Sequence, residues 1–149
     1  MLAVKLLTVK NIFKKYGREL KQISTLTGVP LTRLVGFTAK ESLGNKNICS
    51  KAKACGLMQT RLIADQATGI AGTECNDKKA ICQILKGAAY LVHLTKVENI
   101  EGSAHSAFAY LYGPSAMRQV DEEKIFTEQY VIDVHEYAWI AERVVNKKL

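Results

Sequence analysis

The chain has 149 residues, 48% of them apolar, with a formal net charge of +7 and two prolines. That length suits one domain with a single core, residues 1–149, and no apolar run approaches the ~20 residues of a membrane span. Low-complexity tracts and internal repeats are absent, and long stretches with a 3.6-residue period predict a mostly helical protein.

In chain order, residues 2–9 are compatible with an extended segment, and no other strand is expected. A helix over 11–26 carries Phe13, Tyr16, Leu20 and Ile23 on one side. Gly28 ends it, and Pro30 stands where the next helix can begin. That helix covers 31–43 and is stopped by Gly44-Asn45. Leu34, Phe37, Thr38 and Glu41 fall at i, i+3, i+4 and i+7, which puts Glu41 on the core-facing stripe. Partial burial and the negative end of the helix dipole both raise a carboxyl's pKa, as a general acid requires. On its spacing alone, the same residue reads better as an exposed Glu near a frayed helix end.

A loop follows, then Gly56-Leu57-Met58-Gln59. A two-faced helix over 78–96 turns Ile81, Ile84, Leu85, Ala88, Leu91 and Val92 inward. A shorter helix spans about 103–112. The last, over 122–146, aligns Phe126, Tyr130, Val134, Tyr137 and Ala141 in one stripe.

Taken together, Glu41-Ser42, then fifteen residues after Glu41 the run Gly56-Leu57-Met58-Gln59, then Gly87-Ala88-Ala89-Tyr90-Leu91, Ala109-Tyr110-Leu111-Tyr112-Gly113-Pro114, and Thr127, Tyr130, Val131 and Val134 form four ordered blocks. This series resembles the catalytic domain of the soluble lytic transglycosylases, relatives of goose-type lysozyme, over about residues 10–140. Asn45 and Ser50 also match. The resemblance implies a compact lysozyme-like helical domain with a cleft beside the Glu-bearing helix. It also implies cleavage of the MurNAc-β-1,4-GlcNAc bond of peptidoglycan, with one glutamate as acid and then base and a 1,6-anhydroMurNAc product. Glu41 takes that role. Ser42, Gly56, Met58, Gln59, Tyr90 and Tyr110 are the expected substrate-binding residues, with Tyr130 a weaker candidate that packs its helix.

The departures are Leu111 where the family has Asn, Tyr112 for a small residue, Lys53 for Gly, Phe126 for Glu, and Thr60-Arg61-Leu62 without the usual Pro. No cofactor or metal is expected. Asp65 and Glu74 are remote candidates for the second carboxylate that most glycosidases place about 5–9.5 Å away, and both read better as surface acids.

Cys49, Cys55, Cys75 and Cys82 make an even count without a Cys-x-x-Cys pair, which disfavours zinc. An envelope role favours two disulfides over free thiols; three connectivities are open, and a Cys49–Cys55 bridge would fix the loop after Glu41. The N-terminus does not read as a secretory signal. The expected partner is therefore the glycan strand in the periplasm or cell envelope, by way of a mature chain or of recruitment by an envelope-spanning or phage machine. The positive charge suits an anionic wall. Two alternatives stand: a hydrolytic goose-type-like lysozyme, and a helix-turn-helix over 20–41 that would bind DNA, although the transglycosylase reading expects no nucleic acid.

Overall fold

The computed structural model describes residues 2–70 and 75–147. Among them the chain forms α1 (Leu2–Thr27), α2 (Leu31–Ser42), α3 (Leu62–Thr68), α4 (Ala80–Lys96), α5 (Ser103–Tyr112), α6 (Pro114–Gln119), α7 (Glu122–Thr127) and α8 (Gln129–Val145). The mostly helical expectation holds. Among the described residues, β-type pairing is limited to isolated bridges, Cys49 with Cys55 and Cys55 with Thr60.

α2 is the axis of the fold. Every residue from Leu34 to Ala39 is buried, because α1 covers one side of the helix and α8 the other. Gly36 permits the closest approach: a Cβ there would lie 2.7 Å from the Val134 carbonyl oxygen and 3.1 Å from the Ala138 Cβ. The two helices therefore meet almost backbone to backbone, with only the Ala138 methyl group beside them. The helix-turn-helix alternative fails on the same burial. Val35 and Phe37, in the middle of the would-be reading helix, have no exposed surface, so they can present nothing to a DNA groove.

Residues 2–9 are helical rather than extended, and α1 starts at Leu2. Tertiary contacts explain this. Val9 and Ile12 are buried, and Lys5 reaches α8, with Nζ 3.2 Å from Glu136, 3.7 Å from Asp133 and 5.2 Å from the Tyr137 ring centroid. Phe13 and Tyr16 are only half-buried. On α4, Ile84, Ala88 and Leu91 point inward as expected, whereas Ile81 is exposed.

The helix predicted over 122–146 is broken at Glu128, whose φ −67° and ψ 126° are extended. The stripe explains the break. Ile125 and Tyr130 are five residues apart, which at 3.6 residues per turn separates them by about 140° around one helix. Unlike the enclosed α2, α8 meets the core on one face, so a continuous helix would turn one of the two away from it. The break lets Ile125 (1% exposed) and Tyr130 (7%) both face the core and leaves Phe126 outside.

The loop after α2 is heavily constrained. Leu43 caps the helix at φ 53°. Cys49 is bonded to Cys55, with Cα atoms 4.2 Å apart, and Cys75 to Cys82, 5.4 Å apart. Gln83 of α4 holds the loop from inside: its Oε1 accepts from the Leu57 N–H at 2.9 Å, and its Nε2 donates to the carbonyls of Lys46 and Asp77 at 3.0 and 2.8 Å. Protein isolated from its native compartment is expected to be four hydrogens lighter by non-reducing mass spectrometry than the reduced chain. Each bridge closes a short loop, so its removal is expected to cost about 2 kcal/mol on the chain-entropy scale. Four freely alkylated thiols in the unreduced protein would refute the pairing.

Candidate active site

The last turn of α2 brings Glu41 to an open cleft of about 460 Å³, lined also by Ser50, Gln59 and Arg61 of the loop, Tyr90 of α4 and Tyr110 of α5. Glu41 is half-buried. Its Oε2 accepts a 2.8 Å hydrogen bond from the Tyr130 hydroxyl of α8. Burial pushes the Glu41 carboxyl up to about 7; the Tyr130 bond and the charges of Lys40 and Arg61 oppose it without cancelling it. Taking a carboxylate out of water costs more than one phenol and two partly solvated cations return.

The tyrosines around the acid form a packed set. Tyr110 donates 2.7 Å to the Met58 carbonyl, and its ring lies 4.7 Å from Phe37 and 5.6 Å from Tyr90, centroid to centroid. Burial, then the neighbouring Glu41, holds the hydroxyls of Tyr110 and Tyr130 well above the ordinary tyrosine range. Both are therefore permanent donors near neutral pH. Lys40 pairs with Asp133 of α8 at 2.5 Å.

Of the expected site residues, Glu41, Gln59, Tyr90 and Tyr110 come together in the cleft. Gln59, at φ 50°, also donates through Nε2 to the carbonyls of Ile48 and Gly56 at 2.9 and 3.0 Å. Ser42, Gly56 and Met58 do not line it. Ser42 is buried, with Oγ 2.7 Å from the Leu57 carbonyl and 3.0 Å from that of Thr38, and it accepts from the Gly44 N–H at 3.1 Å. Its hydroxyl bolts the helix end to the loop. Gly56 sits at φ +85° against Gln83, where a Cβ would come within 2.7 Å of Cδ. Met58 is fully buried on Gly87, where a Cβ would lie 2.3 Å from the methionine sulfur. These three shape the cleft from behind.

Asp65 is buried and pairs with Lys86 at 3.0 Å. It ties α3 to α4 and is not part of the cleft lining, so it is a structural acid. Glu74 lies outside the described residues. Sequence reasoning ranked one side chain too low and missed another. Tyr130, the weaker candidate, is the direct hydrogen-bond partner of Glu41; its place in the fourth ordered block was the available signal. Arg61 carried a signal too, as a charge in the run that departs from the expected motif.

The description "Transglycosylase SLT domain" belongs to the family model that matches residues 20–132. No curated protein gives a match. Among solved structures, the chain is similar to an inactive mutant of the lytic transglycosylase Slt from Pseudomonas aeruginosa. The TM-score is 0.70 at 24% identity, and the match covers 85% of this chain and 24% of that one. The chain thus spans about a quarter of the solved protein's length and shares its lysozyme-like helical fold.

Proposed function

The chain belongs to the transglycosylase SLT domain family, and from that premise we propose that it cleaves the MurNAc-β-1,4-GlcNAc bond of peptidoglycan in the bacterial cell envelope, with Glu41 as the only proton-transfer group. The observation that carries the reading is a carboxyl facing an open cleft yet kept neutral to about pH 7 by burial.

In the first step Glu41 protonates the glycosidic oxygen as the bond to the anomeric carbon breaks. The carboxylate left behind is stabilised by the Tyr130 hydrogen bond. In the second step the C6 hydroxyl of the same muramic acid attacks the anomeric carbon and its proton passes to Glu41. The product is the 1,6-anhydro sugar, the acid is regenerated, and no water is consumed. A substrate that supplies its own nucleophile removes the need for a second carboxylate.

Mass analysis of muropeptides released from purified peptidoglycan tests this directly. The expected products are one water lighter than those of a muramidase. Products at the hydrated mass would establish hydrolysis instead and overturn the transglycosylase outcome.

The pH response follows from the same carboxyl. Glu41 must be protonated at the start, so the rate is expected to fall as pH rises through about 7. An optimum well above pH 8, measured on purified strands, would contradict the assignment.

A further inference from the structure

We propose that Arg61 and Lys51, on the loop wall of the cleft, form a subsite for a carboxylate of the glycan strand, so that the enzyme prefers strands with free acid groups near the cleaved bond. This rests on the peptidoglycan reading above and refines its substrate. Both side chains are exposed and both line the Glu41 cleft. Arg61 lines the cleft together with Glu41 of α2 and Tyr90 of α4, and its charge acts on both. Among the described residues lining the cleft, Glu41 is the sole acid, against two basic side chains. The loop carrying them adds Lys46 and Lys53 and has no acid between Glu41 and Asp65.

The substrate supplies the complement. GlcNAc carries no acid. MurNAc carries a lactyl ether whose acid group is either free or joined to a stem peptide that ends in carboxylates. A guanidinium offers two parallel N–H donors to a carboxylate, and a lysine adds a point charge at longer reach. Arg61 also stands in the segment that lacks the usual Pro, so the feature belongs to this chain's own departure from the pattern.

The test measures strand binding in a Glu41→Gln background, where no turnover interferes, on three ligands: peptide-free strands, peptide-bearing strands, and either kind with its carboxyls converted to amides. Arg61→Met is expected to weaken binding to carboxylate-bearing strands about fivefold, the upper range for an exposed ion pair. Lys51→Met should act in the same direction, Arg61→Lys should recover part of the loss, and amidated strands should bind all variants alike. Loss on peptide-free strands assigns the lactyl carboxylate; loss confined to peptide-bearing strands assigns the stem. Equal losses on amidated strands, or no loss on any, would overturn the subsite. Carboxylate-selective binding by a wild-type chain that releases no anhydro product would overturn the cleavage reading and leave the subsite standing. Anhydro product with charge-blind binding would do the reverse.

Discussion

Glu41→Gln is expected to abolish strand cleavage while the chain stays folded. Glutamine keeps the size and can still accept from the Tyr130 hydroxyl, but it has no proton to give. General acid–base catalysis contributes typically about 10²–10⁴-fold, and here one group serves both steps, so the loss should reach at least the top of that range. The variant should also differ in stability. An unfolded Glu titrates near 4.5 and the folded Glu41 near 7, so between those values the folded state holds the extra proton. Wild-type stability therefore declines as pH rises from about 4.5 to 7 and levels off above. Glutamine does not ionise, so the variant should lack that decline and be the more stable of the two at pH 8. Near wild-type clearing of peptidoglycan by a variant folded by circular dichroism would sink the assignment. A variant less stable than wild type at pH 8 in denaturant titrations would contradict the buried-acid account.

Phe37→Ala should produce the largest loss of stability. The ring has no exposed surface. It supports Tyr110 at 4.7 Å and Tyr130 at 6.5 Å, and the Arg33 guanidinium lies 5.4 Å from its centroid. Truncating a buried Phe to Ala costs about 3–5 kcal/mol, a large part of the 5–15 kcal/mol that holds a typical domain. Urea titration should show the midpoint fall sharply. Phe37→Leu refills most of the void and should stay folded, yet it removes the flat shelf beneath the two tyrosines. Its kcat is expected to drop more than its stability suggests. A destabilisation below about 1 kcal/mol in Phe37→Ala, or full activity in a folded Phe37→Leu, would show that the ring does not order the site.

The position of Glu41 was legible because one helical period decides it: a residue seven after Leu34 and four after Phe37 shares their face. The direction in which the motif's other side chains point was not. Ser42 and Met58 belong to the motif, yet they turn into the interior, because the loop after α2 has to be anchored to the helix and to α4. No periodic pattern reports a contact between segments. Tyr130 acts on Glu41 across 89 residues, a pairing set by how α8 lies on α2. The break at Glu128 escaped because the apolar residues of 122–146 look like one stripe unless Ile125 is included. The short helices α3 and α6 offered too few turns for a period to show.

The contact at Gly36 bears on how substrate enters. Val134 O and Ala138 press on α2 where any side chain would collide, and Glu41 and Tyr130 sit on those same two helices. The acid and its phenol therefore ride on one closely packed pair of helices. Any breathing of the cleft as a bulky polymer threads through it falls to the opposite jaw, the loop after α2, where the Cys49–Cys55 bridge encloses Lys51 and the chain continues to Gln59 and Arg61. Proton transfer and strand admission are thus divided between a close-packed anvil and a tethered jaw.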